Sequence, residues 1–382
     1  MHILHVTPYY PPTWAYGGIP RIVDGLSRAQ EKQGHRISVL TTDVFDKNSR
    51  NRLPLWRSEQ NIHIINLPNL SNRLAYKQLF LPIHKGELHS IDKPDIIHMH
   101  GHRHLLNNIA QKYALTNDIP YLMTANGTLH RHERWIRIKK LWDVLVANTI
   151  IEQSKHCIAV SPIDIHIHRK TGIEASKITM IPNGLDLEEF SPLPPTGVFR
   201  EKYHLDERPI VAYLGQLSPR KGVLHLIEAC KTMTDLQLII AGNDMGIGDE
   251  VREKIQHTPH IIHVGLLSGK QRLELLSDAS MLVYPSTDEI FGLSPFEGLL
   301  CGAPAIVSND CGCGQLISKA QAGLLIQYGD IQDIRKKIQS LLHNQEMRQI
   351  MVQRGREYIQ KHLSFSIVAQ QHVELYKRIA QQ

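Results

Sequence analysis

The stretch MLVYPSTDEIFGLSPFEGLLCGAPAIV, residues 281–307, constrains this chain more tightly than any other. Met281–Pro285 is an apolar run of strand type, and Ala305–Val307 opens another. Between them lie a polar loop, Ser286–Gly292, and a segment punctuated as a helix. Ser294 suits the N-cap, Pro295 suits N1, Glu297 falls at N3, and Gly302 and Pro304 end it.

Two roles compete for Glu297. Ser294-x-x-Glu297 fits a capping box, which is purely structural. The loop points elsewhere. Glu289, Phe291, Gly292 and Leu293 lead straight into a helix start, where free N–H groups and the macrodipole favour an anion. Gly292 lets a ligand approach the backbone. Two carboxylates beside such a site suit a ligand bearing both hydroxyls and phosphate, as a sugar nucleotide does.

Glu289 and Glu297 are separated by seven residues, and EIFGLSPFEGLLCGAPAIVSND resembles the E-x7-E signature of the family 4 retaining glycosyltransferases, or glycosyl transferases group 1. The resemblance implies the α/β GT-B fold: two Rossmann-like domains with parallel sheets facing a central cleft. It implies Glu289 on the sugar hydroxyls of a donor and Glu297 on the ribose hydroxyls. The N–H groups of Phe291, Gly292, Leu293 and Ser294 would meet sugar and diphosphate. The resemblance spans nearly the whole chain and is strongest from Ile181 to Ile317.

A chain of 382 residues accommodates two domains, each with its own core. No apolar run approaches the ~20 residues that span a bilayer. MHILHVTPYY lacks the basic start, apolar core and cleavage site of a signal peptide. Five cysteines without a regular framework favour a reducing cytoplasm, with the inner face of the cell membrane as a further station. Residues 1–190 carry 23 Lys+Arg against 17 Asp+Glu, while residues 191–382 carry 20 of each. All the excess charge is in the first half, which suits an anionic acceptor or membrane surface.

In that half, strand His2–Thr7, loop Pro8–Gly18, a helix around Arg21–Gln33 and strand Arg36–Thr42 give βαβ order and a parallel sheet. No G-x-G-x-x-G follows, so a nicotinamide cofactor gains no support. Gly17 and Gly18 make a turn, and by resemblance approach the donor phosphate and the acceptor. Ile62–Leu67 and Ile96–Met99 are further strands. The latter opens a cluster, His98, His100, His102 and His104, whose spacing can put imidazoles on one face. No matching Cys or carboxylate set stands nearby, so structure or ligand hydrogen bonding outranks a metal. His100 is the acceptor-side candidate.

Pro120–Thr124 leads to Ala125-Asn126-Gly127-Thr128. Relatives often have a donor-touching histidine where Asn126 stands; Asn can hydrogen-bond a hydroxyl but cannot act as a base. His130 lies close by. The segment RHERWIRIKKLW, residues 131–142, interleaves Arg131, Arg134 and other cations with Trp135 and Trp142. It reads as a surface helix with an inward stripe, or as a basic aromatic face for anionic lipid or a charged acceptor. MIPNGLDLEEF, residues 180–190, resembles the family's I-P-N-G-x-D segment.

Proline-rich SPLPPTGVF, residues 191–199, is the expected linker between domains 1–190 and 191–365, the second holding the nucleotide sugar. Strand Ile210–Leu214 runs into Gly215-Gln216-Leu217-Ser218-Pro219-Arg220-Lys221-Gly222, a glycine turn with two cations, as phosphate sites have. Relatives commonly have arginine at Gln216, so Lys221 comes first and Arg220 next as the cations. By resemblance, backbone groups around Val264 hold the base, and helix 366–382 packs back on the first domain. Cys301, Cys311 and Cys313 are small-residue choices rather than ligands.

The implied activity is retaining, metal-independent hexosyl transfer from a GDP- or UDP-sugar, with no cofactor, to a glycan or lipid-linked acceptor. Front-side displacement is the expected mechanism, with Glu289, Lys221 and Arg220 as catalytic residues. A GT-B sugar-nucleotide epimerase and a non-catalytic sugar-nucleotide-binding module are the alternatives, the latter suggested by Asn126 and Gln216.

Overall fold

The computed structural model describes the chain except residues 14–17, 47–48, 77–78, 130–147, 268 and 382. Strands and helices alternate and gather into two units, Met1–Leu185 with Leu363–Gln382, and Asp186–His362. The first holds β1 (His2–Val6), β2 (Arg36–Thr42), β3 (Trp56–Glu59), β4 (Ile62–Leu67), β5 (Ile96–His100), β6 (Tyr121–Thr124), β7 (His156–Ala159) and β8 (Ile178–Met180). They form one sheet in the order β3-β4-β2-β1-β5-β6-β7-β8. Ile3 and Leu4 feed separate cores on its two faces, which is why the central strands read as continuous apolar runs.

Its pairings are parallel except at one edge, where β3 runs antiparallel to β4. The reason is local. Glu59 pairs with Ile62, so only Gln60-Asn61 joins the strands, and Gln60 takes a positive φ of 55°. A two-residue turn can connect only antiparallel neighbours.

The second unit holds β9 (Ile210–Leu214), β10 (Gln237–Ala241), β11 (Ile261–Gly265), β12 (Ala279–Tyr284), β13 (Ala305–Ser308) and β14 (Gly323–Ile326). They form a wholly parallel sheet, β11-β10-β9-β12-β13-β14, so the loops after its strands open along one edge.

Five helices matter below: α1 (Ile19–Lys32), α2 (Val223–Cys230), α3 (Ser294–Cys301), α4 (Gly312–Ala320) and α5 (Phe365–Ala380). α5 lies in the first unit against α1, and its Phe365 ring is seated over two glycines. A Cβ at Gly25 would lie 2.0 Å from that ring and one at Gly184 2.3 Å. Gly184 is the glycine of the I-P-N-G segment, so that motif makes room for the returning helix.

The proline-rich stretch 191–199 is not a free linker: the division falls at Leu185/Asp186, and the stretch belongs to the second unit. Asp278 explains this by accepting from the backbone N–H groups of Gly197 and Arg200, at 2.5 and 3.0 Å. Phe199 is fully buried beside them.

Candidate active site

The expected donor residues of the second unit lie at the carboxyl ends of its parallel strands. Gly215 and Gln216 follow β9, Pro285–Gly292 follow β12, and Val264 is at the end of β11. Pro219–Lys221 make one 3-10 turn, and Gly222 (φ +66°) starts α2. A Cβ at Gly222 would lie 2.0 Å from the Pro285 carbonyl oxygen, so only glycine lets the two loops touch. That approach puts Lys221 against the β12 loop.

There Lys221 Nζ donates to the Tyr284 hydroxyl at 2.6 Å and forms an ion pair with Glu289. The Tyr284 hydroxyl donates to Glu289 Oε2 at 3.2 Å, and the ammonium sits 5.0 Å from the centre of the Tyr284 ring. Burial pushes the Glu289 carboxyl up, but Lys221, Arg220 and the Tyr284 hydroxyl outweigh it and hold it below the usual carboxylate range. Burial and then the Glu289 charge push the Tyr284 phenol well up, so it stays a donor. Arg220 Nη1 donates to the Asp288 carbonyl at 3.2 Å, and the Arg220 carbonyl accepts from Thr287 N–H at 2.8 Å. Both cations are thus fastened to the loop bearing Glu289.

The start of α3 departs from the expected capping box. Leu293, already in helical conformation, takes the N-cap, and no side chain caps it. Ser294 is therefore the first helical residue rather than the cap, and the N–H groups of Phe296 and Glu297 bond to the Leu293 carbonyl. The N–H groups of Gly292, Leu293 and Ser294 have no hydrogen-bond partner among the described residues. Phe291 is buried, its ring tilted 31° to that of Phe296 with centroids 5.4 Å apart. Glu297 is 2 % exposed, with Oε2 3.5 Å from Arg272 Nε, so its carboxylate faces a cation of its own unit. Cys311 and Cys313 lie buried behind this loop; Cys311 Sγ caps α4, as a small-residue role requires.

In the first unit, Gly18 is the N-cap of α1, whereas Gly17, His130, Arg131 and Arg134, with the rest of 131–142, lie outside the described residues. Asn126 sits in the left-handed region (φ +50°), and its buried Oδ1 has no hydrogen-bond partner among the described residues. The acceptor-side placing of His100 needs correction, because its imidazole is 1 % exposed and bonds His5 Nδ1 at 3.0 Å. His98 and His100 do share a face, at 3.9 Å between centroids, as alternation demands.

That cluster is a hydrogen-bonded core. His5 Nε2 meets Gln30 Oε1 at 2.7 Å, and His98 meets the Tyr376 hydroxyl at 2.6 Å and the Thr124 hydroxyl at 2.7 Å. Ring nitrogens of His5, His98 and His100 lie within 4.8 Å of one another, close enough for a metal. Their existing partners and complete burial fit a proton-sharing network better. Burial pushes His5 and His372 down to about 4, and His98 and His100 well below the ordinary imidazole value.

Tyr284 and the core partners His5, His372 and Tyr376 escaped the sequence reading. The only signal for Tyr284 was a phenol ending an otherwise apolar strand.

Comparison with known proteins finds two family matches along the chain. The family described as Glycosyl transferases group 1 matches residues 197–358, and the one described as Glycosyltransferase Family 4 matches residues 16–189. The α-maltose-1-phosphate synthase of Mycolicibacterium smegmatis is 26% identical over 257 residues, 62% of this chain and 66% of that protein. The N,N'-diacetylbacillosaminyl-diphospho-undecaprenol α-1,3-N-acetylgalactosaminyltransferase of Campylobacter jejuni is 26% identical over 231 residues, 58% and 60% of the two chains. This chain thus spans just under two thirds of those relatives' length. The crystal structure of Anabaena HepE with UDP-glucose is 15% identical, covers 99% of this chain and 100% of its own, and gives a TM-score of 0.74. The likeness in fold is to two-domain GT-B proteins.

Proposed function

The chain belongs to the glycosyl transferases of group 1, and from that premise we propose a retaining hexosyl transfer from a nucleotide-diphosphate sugar, GDP- or UDP-linked, to a glycan or lipid-linked acceptor. Surface polysaccharide or glycolipid assembly at the inner face of the cell membrane is the setting. The observation that carries this reading is the Lys221–Tyr284–Glu289 cluster beside three N–H groups at the start of α3 that have no partner among the described residues.

Each part has a task. Glu289, kept ionised by its neighbours, accepts hydrogen bonds from donor-sugar hydroxyls. Lys221 and Arg220, with the N–H groups of Gly292, Leu293 and Ser294, neutralise the charge that develops on the departing diphosphate. The departing phosphate oxygen takes the acceptor proton on the same face, so configuration is retained. A double displacement would ask for a second carboxylate ~5–5.5 Å from the first. Glu297, buried at Arg272, is poorly placed to serve. Gly215 and Gln216 line the phosphate turn and backbone near Val264 holds the base; Gly17, Gly18 and Asn126 are donor-binding candidates by resemblance to the family alone. UDP-glucose in HepE and the diphospho-undecaprenol named for the Campylobacter relative favour a UDP donor and a lipid-linked acceptor.

The reaction so described uses protein cations in place of a metal and needs no cofactor, so turnover is expected to persist in EDTA. The test is a panel of nucleotide sugars, scored by nucleotide released with and without acceptors. Acceptor-dependent release is expected. Isomerised nucleotide sugar without acceptor would instead identify an epimerase, and tight binding without turnover a binding module. Lys221→Ala should lower turnover ~100–1,000-fold with the fold intact; near-normal turnover refutes the assignment.

A further inference from the structure

Among the described residues thirteen large apolar side chains are exposed, and eight of them fall between Leu53 and Ile83. Scattered exposure needs no cause, but concentration in one tract does. Hydrogen bonds draw the tract into one neighbourhood. Asn66 N–H donates to the Leu55 carbonyl at 2.8 Å, Leu70 N–H to Leu81 at 2.9 Å, and Leu79 N–H to Leu74 at 2.9 Å. Arg50 Nη2 donates to the Leu70 carbonyl at 3.1 Å. Within the tract Leu70 is the most exposed, at 63 %. The tract gathers at the carboxyl end of β4, where Trp56 at the start of antiparallel β3 pairs with Ile65 and residues 68–76 and 79–83 follow the strand. β4 is parallel to β2 and through it to β1, β5 and β6, so the tract lies at the same end of the sheet as the loops after β5 and β6.

Its charge is one-sided. Residues 50–86 contain six Lys+Arg and one acid, Glu59. Glu59 is occupied by Arg57 and Arg28. Arg52, Arg73 and Lys85 are exposed, with no ion pair among the described residues. A second copy of this chain would bring the same cations face to face, which opposes self-association. Exposed apolar side chains interspersed in one tract with cations that have no ion pair among the described residues match the interface of an anionic bilayer, where the former enter the acyl boundary and the latter meet phosphates.

We propose that the surface formed by residues 50–76 and 79–85 docks the first unit on an anionic phospholipid bilayer. The proposal rests on the reading of the acceptor as lipid-linked, since a bilayer at this end of the sheet would deliver such an acceptor to the loops after β5 and β6.

The test sediments the full chain with phosphatidylcholine–phosphatidylglycerol vesicles and with pure phosphatidylcholine vesicles. Binding is expected for the anionic vesicles and to weaken with salt. Replacing Arg52, Arg73 and Lys85 together by Ser should weaken it roughly 100-fold, and Leu70→Asp should weaken it too. Neither variant should change nucleotide release from the donor in solution, which separates docking from chemistry. Vesicle binding unchanged in both variants overturns the proposal, as does binding lost only on replacing Arg131 and Arg134. A dimer that Leu70→Asp dissociates, without vesicle binding, overturns it in favour of self-association. A chain that binds anionic vesicles yet releases no nucleotide from any donor supports docking and refutes the transferase reading.

Discussion

At Tyr284 one phenol meets both charged partners of the site, since its ring carries the Lys221 ammonium and its hydroxyl links that ammonium to Glu289. A hydrogen bond to a charged group is worth ~1.5–3 kcal/mol, so Tyr284→Phe, which keeps the ring, should lower kcat about 10- to 100-fold. KM for the nucleotide sugar should change little; steady-state kinetics with the two proteins decides. The same cluster fixes a pH dependence. Glu289 is held below the usual carboxylate range, so it stays ionised as pH falls to the ordinary carboxyl value, and the rate should show no acid limb from it above that point. Lys221→Met removes the strongest opposing charge, leaves burial to push the carboxyl up, and should move an acid limb of the residual rate to higher pH. The acidic pair and both cations were legible because each pair lies within its own short contiguous motif. Tyr284 was not, because a phenol ending an apolar strand looks like packing until Lys221, 63 residues away in sequence, is seen on it. Ser294 misled for a smaller reason: the helix begins one residue early, and a side chain already inside the first turn cannot cap it.

At the scale of elements, the docking of α5 on the first unit depends on Phe365 entering the space that Gly25 and Gly184 leave. Phe365→Ala should cost about 3 kcal/mol, the lower end for a large aromatic because the ring is only partly buried. Gly184→Ala should be comparably harmful, since its Cβ would have to displace the ring. Denaturant melts of each variant against the parent check both. The motif around Gly184 could be recognised in the sequence, but its purpose could not, because the partner lies 181 residues further on. The long apolar strands were plain from their runs. β3, β8 and β14 span only four, three and four residues, too short to establish a period, and so went unseen.

At the scale of the whole molecule, the buried histidines make stability a function of pH. His5, His98, His100, His104 and His372 all have folded-state values below the ~6.5 of a free imidazole. Because those values are depressed, their contribution is fully present above pH ~6.5 and is lost as pH falls towards the folded values, about 4 for three of them. Thermal melts at descending pH should therefore show Tm falling steadily below pH 6.5, and His98→Phe should flatten the slope. An unchanged Tm down to pH 5 would refute this. The two-domain plan was legible, since each half alternates strand and helix. The boundary was placed slightly late because prolines suggested a tether where Asp278 in fact holds the backbone.

The chain leaves the first unit at Leu185 and re-enters it at Leu363, and those two points touch, with Leu185 N–H bonded to the Leu363 carbonyl at 2.7 Å. During synthesis, the half begun first is therefore completed last, because α5 emerges only after everything from 186 to 362 has been made. A chain truncated after His362 should show a protease-resistant second half and a first half still open to cleavage.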